Sequence, residues 1–306
     1  MRLHLDGARR LHFDDGTPVT AASAIAPLGD GWLVAQDDST LAAWRRPGSV
    51  TPVRLLPPVG GLDRFSEAAG TKGSKPDLEV ACAAEVDGAP AVLLLGSGSA
   101  EPRMRGVLVR LLDGAPVVTS ADLAPLYARV AGRLGVVGNQ LNMEGASRHG
   151  GEVRWFQRGN LVAGVPSASV DLPLEALVDA VLSRTDAAAV PVERRRVYEL
   201  GEVDGVGLAV TDAVALPDGR VLLSAAAEDT PNAVDDGPVV ATALVLVDDE
   251  SVLAVAAVPG PDGVVHKIEG LALREVDRST VHLLAVVDDD DPEAPSTELD
   301  LRVELG

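Results

Sequence analysis

The sequence predicts an all-β fold, a five-bladed β-propeller, and a recurring motif is the first observation behind this prediction. In the motif, an apolar residue or a threonine precedes an acid and then small or apolar residues. It occurs at 76–81, 142–146, 210–216 and 267–273, and 23–28 is the same unit with a serine in place of the acid. Each motif is followed by a turn and a second apolar run that ends in polar residues. Short runs bounded by Gly, Pro and Asp are typical of β-strands.

The spacing of the motifs is the second observation. Glu79 lies 56 residues after Ser23, Glu144 follows 65 residues later, Asp212 after a further 68 and Glu269 after a further 57. Each period has room for four short strands. A ring of such four-stranded sheets is the β-propeller architecture.

Helical inserts account for the two longer periods. Residues 121–130 and 172–182 have helical spacing, and we expect helix N-caps at Asp122 and near Asp171. A propeller tolerates such inserts because they lie in the connections between strands.

The two ends of the chain complete the predicted ring. The fifth unit stops one strand short, whereas residues 2–13 alternate polar and apolar side chains and belong to no unit. We therefore expect residues 2–13 to supply the last strand, so that residues 1–306 form a single propeller domain. Six blades are the alternative, if a degenerate unit lies within 160–210.

Composition limits the classes of partner. The chain has 306 residues, is 46% hydrophobic and carries a net charge of −20, so its surface should repel nucleic acid and anionic membranes. The N-terminus lacks the apolar segment of a signal peptide, and no apolar run approaches the length of a membrane span. We expect a soluble, cytoplasmic protein with a small-molecule ligand or substrate. The single cysteine, Cys82, lies in an apolar run and is predicted to be a core residue.

Propeller geometry places the recurring acids together. The first strand of each blade lines the central channel, so Glu79, Glu144, Asp212 and Glu269 should meet at one mouth of the channel. Polar residues from neighbouring positions should surround them: Asp37, Asp38, Ser97, Ser99, Arg158, Asn160, Glu228, Asp229, Asp288 and Asp289. Carboxylates about 7 Å apart repel by roughly 2 kcal/mol per pair at an effective dielectric constant near 20, so the group needs compensation.

Three sources of compensation remain open from the sequence. A hard cation such as Ca²⁺ suits a ring of oxygen ligands. Alternatively, the acids pair with the neighbouring basic residues Lys75, Lys267, Arg103 and Arg158 in a structural network. Otherwise some of the acids keep their protons, because clustering raises the pKa of carboxylic acids.

Other site classes have weaker support in the sequence. The five histidines lack the spacing of a zinc site, and the acidic run at 288–291 lacks the pattern of an EF-hand. The segment 96–99 neither ends in lysine nor opens a helix, which argues against a P-loop. No Gly-x-Ser-x-Gly motif is present, so we interpret Ser97, Ser99 and Ser224 as structural residues rather than nucleophiles.

Several strings resemble a known family. Residues 75–79, 95–99, 142–146 with 156–160, 225–230 and 267–271 resemble a family of uncharacterised bacterial proteins, classed as a domain of unknown function. More distantly, the Glu-Gly strand starts are similar to calcium-dependent propellers of the gluconolactonase and phytase-like esterase type, in which acids at the channel mouth hold the metal. This resemblance implies that Glu79, Glu144, Asp212 and Glu269 are the metal ligands.

We therefore expect a metal-dependent hydrolase of a small ester, lactone or phosphoester. Glu144 would act as the general base, while Arg158, Lys75 and Arg103 would stabilise developing negative charge. Contacts to the substrate are expected from Asp37, Ser97, Ser99, Asn160, Glu228, Asp229, Lys267 and Asp288. One alternative is a non-catalytic propeller that binds a ligand or a protein and in which the acids are structural. Another is glycoside hydrolysis, which needs two suitably spaced carboxylates.

Overall fold

Five antiparallel β-sheets follow one another along the chain in a computed structural model, which describes residues 1–228, 239–249, 251–260, 265–288 and 294–306. The chain begins with β1 (Arg2–Arg10). Blade 1 then consists of β2 (Ala22–Leu28), β3 (Gly31–Gln36), β4 (Leu41–Arg46) and β5 (Ser49–Arg54). Blade 2 consists of β6 (Leu78–Val86), β7 (Ala89–Gly96), β8 (Arg105–Leu112) and β9 (Ala115–Asp122). Blade 3 consists of β10 (Met143–His149), β11 (Glu152–Gln157), β12 (Ser167–Pro173) and β13 (Glu193–Tyr198).

The last two blades each differ from this simple order. Blade 4 consists of β14 (Glu202–Val203), β15 (Val206–Ala215), β16 (Val221–Glu228), β17 (Val239–Asp248) and β18 (Ser251–Ala257). Blade 5 consists of β19 (Lys267–Asp277), β20 (Thr280–Asp288) and β21 (Thr297–Glu304), and β1 is its outer strand. The first long strands of the five blades, β2, β6, β10, β15 and β19, contact one another in this order, and β19 contacts β2. These inner strands therefore form a closed ring, and the predicted five-bladed β-propeller is confirmed.

The N-terminal strand closes the ring as predicted. Arg2 pairs with Glu304, and Arg10 pairs with Thr297, in an antiparallel register that runs along β1 and β21. Strand β1 ends at Arg10, and His12 forms only an isolated bridge with Pro18. The first and last segments of the sequence thus belong to one sheet.

Tight turns between strands follow from Asp-Gly pairs. Asp87 and Gly88 join β6 to β7 with φ values of 53° and 79°. Asp113 and Gly114 join β8 to β9 with φ values of 50° and 77°. Two successive positive φ values define the hairpin turn whose twist matches antiparallel strands, and Asp-Gly is among the preferred sequences for it.

The hydrophobic core consists of separate clusters, one at each contact between neighbouring blades. Residues from blades 1 and 2, such as Trp44 and Val92, form one buried cluster, and similar clusters join each remaining pair of neighbours. The largest lies between blades 2 and 3 and includes Trp155 and Tyr127, whose rings make an edge-to-face contact at 5.0 Å. Cys82 is buried in this cluster as predicted, and burial raises the pKa of its thiol to about 12.

The two helices pack on blades 2 and 3, with bounds that differ from the prediction. Helix α1 (Ala124–Leu134) begins two residues after Asp122, whose carboxylate accepts the Ala124 N–H at 2.8 Å although Leu123 holds the N-cap position. Helix α2 (Leu174–Val181) begins after β12, so Leu172 is a strand residue. Neither helix in the described part of the chain is long and apolar enough to cross a membrane.

The six-bladed alternative is wrong. Residues 160–210 contain β12, β13, α2 and the short strand β14, which add to blades 3 and 4. The extra length of this period thus comes from the helix and its connections rather than from an additional sheet.

Candidate functional site at the channel mouth

A β-bulge interrupts the inner strand of each blade. The pairing register between the inner strand and the second strand of each blade shifts by one residue at this point. The residues at the bulges are Ser23, Glu79, Glu144 with Gly145, Thr211 and Glu269. Because a bulge adds one residue opposite a regular strand, it turns a side chain out of the normal alternation. Three glutamates and two hydroxyls therefore occupy equivalent positions around the ring.

Asp212 does not belong to this set, which corrects the predicted ring of four acids. The bulge in blade 4 lies at Thr211, one residue earlier. The Thr211 hydroxyl donates to the carbonyl of Ile268 at 2.6 Å, as the Ser23 hydroxyl donates to the carbonyl of Leu78 at 2.6 Å. Both hydroxyls thus connect an inner strand to the next blade.

Asp212 instead has a structural role. Its carboxylate accepts the N–H groups of Leu271 at 2.6 Å and Ala213 at 2.7 Å, and the Ala146 amide also contributes. These amides belong to blades 5, 4 and 3, so one buried side chain joins three blades. Burial raises the pKa of Asp212, and the three amides oppose this effect. Asp212 does not line the cavity described next.

Nine of the other predicted residues meet in a cavity at the mouth of the channel, which we call the mouth cavity. Its volume is ≈ 100 Å³, and its wall is almost entirely polar. The predicted residues that line it are Asp37, Lys75, Glu79, Arg103, Glu144, Arg158, Lys267, Glu269 and Asp288. The structure therefore brings together acids and bases that are far apart in the sequence.

The side of the cavity formed by blades 1 and 2 carries three converging carboxylates. Oxygen atoms of Asp37, Asp77 and Glu79 lie within 4.8 Å of one another. Asp37 forms an ion pair with Lys75, and Asp77 pairs with Arg103 at 3.0 Å. No lysine or arginine in the described part of the chain forms an ion pair with Glu79. Ion pairs with two cations thus offset two of the three acids, and Glu79 has no such pair among the described residues.

Burial and mutual repulsion change the pKa values of this group. Burial raises the pKa of Asp37 to about 7, although Lys75 opposes the change. Burial also raises the pKa of Glu79 well above its ordinary value, and the charges of Asp77 and Asp37 raise it further. Burial alone would lower the pKa of Lys75, but Asp37 and Asp77 raise it, so Lys75 stays charged. A proton or another positive charge is therefore favoured near Glu79.

The opposite side of the cavity, formed by blades 3, 4 and 5, holds a second charged network. Arg158 contacts Glu144 at 3.1 Å through one guanidinium nitrogen and Glu228 at 2.5 Å through the other. Lys267 contacts Glu228 at 3.1 Å and Glu269 at 2.8 Å. Again two cations face three acids. Both Arg158 and Lys267 are buried, yet the acids around them raise their pKa values, so both remain charged.

Glu144 is held in place by hydrogen bonds to one of its two carboxylate oxygens. The Asn142 side-chain amide donates to Oε1 of Glu144 at 2.7 Å. Gln157 in turn accepts the Asn142 backbone N–H at 2.9 Å and donates to the carbonyl of Gln140 at 3.0 Å. Oε2 of Glu144 is buried and has no hydrogen-bond partner among the described residues, and the residue is 5% exposed. Glu144 thus lines the cavity with one carboxylate oxygen that has no hydrogen-bond donor among these residues.

Electrostatics give Glu144 the properties of a proton acceptor near neutral pH. Burial raises its pKa to about 7, against the effect of Arg158, and the nearby Glu269 adds to the rise. The efficiency of a general base is greatest when its pKa lies close to the working pH.

Several predicted contact residues do not line the cavity. Ser97 donates to Asp77 and lies 2.9 Å from the Ser99 hydroxyl, which accepts a hydrogen bond from Arg103 at 2.9 Å. Glu228 acts through its ion pairs with Arg158 and Lys267. Asn160 accepts the Ala163 N–H at 3.0 Å in a surface turn. Asp229 and Asp289 lie outside the described residues.

Asp77 and Asn142 are site residues that the sequence prediction missed. Each precedes a bulge glutamate by two positions, as Lys267 precedes Glu269. Both lie directly before the first residue of an inner strand, β6 for Asp77 and β10 for Asn142. A polar residue two positions before a recurring acid was the signal that the sequence offered for them.

Asp37, Asp77 and Glu79 have the donor set for a hard divalent cation. All three offer carboxylate oxygens, the ligands that such cations prefer. Oδ1 of Asp37 is a buried acceptor without a hydrogen-bond donor among the described residues. Among the described residues, Asp37, Asp77 and Glu79 converge closely enough to hold a cation. Of the four predicted metal ligands, this group includes Glu79 alone.

Comparisons with known proteins give a family but no activity. Solved structures with some likeness include a luciferin-regenerating enzyme, which is 11% identical with a TM-score of 0.42 and covers 94% of this chain and 79% of its own. A protein of unknown function from Dyadobacter fermentans DSM 18053 is 12% identical with a TM-score of 0.45 and coverage of 98% and 99%. A gluconolactonase-like protein is 9% identical with a TM-score of 0.38 and coverage of 89% and 70%.

Comparison at the level of sequence shows the family of the chain. Comparison with curated proteins gives no match. The profile described as "Family of unknown function (DUF6910)" matches residues 71–292, which include both charged sides of the mouth cavity except Asp37. The chain is therefore a member of the DUF6910 family.

Proposed function

We propose that the mouth cavity is the active site of a cation-dependent hydrolase that acts on a small ester, lactone or phosphoester. The observation that supports this proposal is the convergence of Asp37, Asp77 and Glu79 within 4.8 Å, where ion pairs among the described residues offset Asp37 and Asp77 but not Glu79. Glu144 lines the same cavity and has one carboxylate oxygen without a hydrogen-bond partner among the described residues.

Electrostatics favour a bound cation at the three carboxylates. At about 4.8 Å, two carboxylates repel by roughly 3 kcal/mol at an effective dielectric constant near 20. Lys75 and Arg103 offset two of the negative charges, and Glu79 remains. Ca²⁺ is the cation we propose, because it accepts six to eight oxygen ligands in irregular geometry. When bound, it would supply Lewis acidity that polarises a carbonyl or phosphoryl oxygen of the substrate.

The residues of the chain itself supply the proton transfer and the charge stabilisation. Oε2 of Glu144 would accept the proton of the attacking water, because it is the free oxygen of a carboxylate with a pKa of about 7. Arg158 and Lys267 stay charged and lie next to Glu144 and Glu269, where they would stabilise negative charge on the substrate. Arg103 would do the same on the opposite side.

The cavity limits the reacting group. A volume of ≈ 100 Å³ with polar walls admits a small polar group and has little apolar surface for a larger one. We therefore propose that the scissile bond lies in a compact, oxygen-rich group, while any larger part of the substrate stays outside the cavity.

A second candidate function is ligand binding without catalysis. The observation in its favour is that ion pairs already neutralise most of the acids, including Asp37, Asp77 and Glu269. In this case the charged network would be structural, and the cavity would bind a small polar ligand that contacts Glu79 and Glu144.

Calorimetric titration with Ca²⁺ tests the cation, with Glu79→Gln and Glu85→Gln as matched variants. Glu85 lies on the same strand as Glu79 but at its exposed far end. We expect Ca²⁺ to bind the wild type and Glu85→Gln and to raise their melting temperatures, EDTA to reverse the shift, and Glu79→Gln to bind at least about ten-fold more weakly. A wild type that binds no divalent cation would contradict the proposal.

A screen of aryl esters, lactones and phosphodiesters tests the activity. Hydrolysis by the wild type should fall on the order of 10²-fold or more in Glu144→Gln, since general base catalysis contributes about this factor. Hydrolysis that is unchanged in Glu144→Gln would exclude Glu144 as the base. Calcium binding without any hydrolysis would favour the binding function.

A further inference from the structure

Blade 4 rises above the other blades on the side of the mouth cavity. Strand β15 begins five residues before the bulge at Thr211, whereas the other inner strands begin one or two residues before their bulges. At about 3.3 Å per residue, the additional residues extend roughly 10 Å past the starts of the other inner strands. Leu208 pairs with Ala227, so the end of β16 rises together with β15. We call residues 206–208 and 227–228 the blade 4 extension.

The blade 4 extension adjoins the mouth cavity. Glu228, its last residue, contacts Arg158 at 2.5 Å and Lys267 at 3.1 Å, and both of these residues line the cavity. The extension also contacts the connection between β11 and β12, because a Cβ atom added to Gly207 would collide with the side chain of Leu161. Leu161 follows Arg158 by three residues, so this contact lies close to the cavity wall.

Exposed apolar side chains occur where the connection meets the blade 4 extension. Leu161 is 59% exposed and Val162 is 77% exposed. Val206, at the start of β15, is half-buried. We call Leu161, Val162 and Val206 the apolar ledge. It contrasts with the mouth cavity, whose wall is almost entirely polar.

The turn that carries most of the apolar ledge has a fixed conformation. The backbone N–H groups of Asn160 and Val165 each donate to the carbonyl of the other residue, at 2.7 and 2.8 Å. The side chain of Asn160 accepts the Ala163 N–H at 3.0 Å. Apolar surface that is held in place next to a few polar groups is typical of sites for small molecules, because little ordering is needed on binding.

The charges of the cavity favour an uncharged substrate. Among the described residues, six acids and five basic residues line the cavity, and Glu228 adds a seventh acid through its ion pairs. With the proposed Ca²⁺ bound, seven positive charges balance these seven acids. A phosphodiester would bring a further negative charge into a balanced and largely buried site, which is costly, whereas an ester or a lactone brings none.

We propose that the substrate is an uncharged ester or lactone with an apolar chain, whose carbonyl group enters the mouth cavity while the chain lies on the apolar ledge. This inference rests on the proposed hydrolase function and names its substrate class. Hydrolysis joins the oxygen of water to the carbonyl carbon and breaks the bond from that carbon to the alkoxy oxygen. The proton that Glu144 accepts then passes to the alkoxy oxygen, which gives a carboxylic acid and an alcohol.

Calorimetric titration with γ-lactones tests the substrate class separately from the reaction. The protein is Glu144→Gln in the presence of Ca²⁺, and the probes are γ-lactones with methyl, butyl or hexyl chains and dibutyl phosphate. We expect the affinity to increase at least about ten-fold from the methyl to the hexyl lactone, because each fully buried CH₂ group adds up to about four-fold. Dibutyl phosphate should bind at least about ten-fold more weakly than the butyl lactone.

A second substitution in the same protein tests the apolar ledge. Val162→Asp places a charge where the chain should lie, so the gain from methyl to hexyl should fall to less than about two-fold. The matched control is Val117→Asp, because Val117 is 39% exposed on the outer strand of blade 2 and does not line the cavity. This control should keep the full gain. Melting temperatures show whether both variants are folded.

The outcomes separate this inference from the proposed function. Absence of lactone binding, affinities that do not depend on chain length, tighter binding of dibutyl phosphate, or an unchanged gain in folded Val162→Asp would each overturn the inference, even if the wild type hydrolyses other esters. Chain-dependent binding by a protein whose wild type hydrolyses neither lactones nor aryl esters would support the ledge and contradict the proposed function alone.

Discussion

Arg45 in blade 1 reaches Glu298 in blade 5, with 3.0 Å between its Nε atom and the Oε2 atom of the carboxylate. Arg9 on the N-terminal strand pairs with the other oxygen of Glu298, and Glu298 is 2% exposed. One buried acid thus connects the last blade, the strand that completes it and the first blade. This contact lies where the first and last blades meet, which is the point at which the ring would open.

We expect Glu298→Ala to lower the free energy of unfolding by about 2 kcal/mol, because it leaves the largely buried Arg45 without its partner, whereas the half-exposed Arg9 loses little. Asp300→Ala is the control, since Asp300 and Arg274 form an ion pair in the same blade but are both half-exposed. It should cost less than about 1 kcal/mol. Urea denaturation measures both values, and equal losses would show that Glu298 has no special role in closure.

Asp212 provides a second test of how the blades are joined. Asp212→Ala leaves the backbone amides of Leu271, Ala213 and Ala146 without their acceptor, so the free energy of unfolding should fall by about 3 kcal/mol. Asp212→Asn keeps one acceptor oxygen and should lose less. The affinity of folded Asp212→Asn for Ca²⁺ should match the wild type, and a large loss of affinity would return Asp212 to the set of cation ligands.

The contrast between Asp212 and Thr211 shows which parts of the molecule the sequence could predict. The blades, their count and the closing strand follow from local signals, namely short apolar runs, Asp-Gly turns and regular spacing. The position of a bulge depends on how two strands pair, which no local pattern specifies. In blade 4 the recurring acid is therefore one residue away from the equivalent position, Thr211.

The sequence predicts the part of the candidate site that comes from residues near the ends of the inner and second strands. Glu79, Glu144, Glu269, Lys267 and Arg158 do meet in one cavity. Asp77 was missed because its importance comes from proximity to Asp37, and these residues are 40 positions apart in different blades. Such long-range convergence becomes visible only after the ring has been assembled.

Two glutamines in equivalent places allow the positioning of Glu144 to be separated from general stability. Gln157 supports Asn142 and thereby Glu144, whereas Gln36 accepts the Thr20 N–H at 3.1 Å and donates to the Leu41 carbonyl at 3.0 Å. Gln157→Met and Gln36→Met should lower stability by a similar amount, about 1–3 kcal/mol. Only Gln157→Met should also slow hydrolysis, by about ten-fold or more, and shift its pH profile. Equal activity in the two variants would show that the support of Glu144 is not needed.

The stability of the protein should depend on pH through Glu144. Its pKa is about 7 in the folded state, compared with an ordinary value of 4.5. Between these values the folded protein holds a proton that the unfolded chain has released, so the free energy of unfolding falls as the pH rises toward 7. Glu144→Gln cannot titrate, so its stability should exceed that of the wild type by a margin that grows from pH 4.5 to 7. Urea denaturation across this range measures the margin, and parallel curves for the two proteins would contradict it.

A substitution at Lys75 distinguishes a cation site from a structural network of ion pairs. Its ammonium group pairs with Asp37 and stays charged, so it repels a second cation beside the same carboxylate. If the mouth cavity holds Ca²⁺, Lys75→Met should remove this repulsion and tighten binding on the order of ten-fold, as measured by calorimetry. Arg220→Met is the control, because Arg220 pairs with Asp218 at 2.7 Å outside the mouth cavity and should leave binding unchanged. If Lys75→Met instead lowers the melting temperature and binds no Ca²⁺, the acids of the mouth are a structural network, and the ligand of this cavity must be sought among small polar molecules.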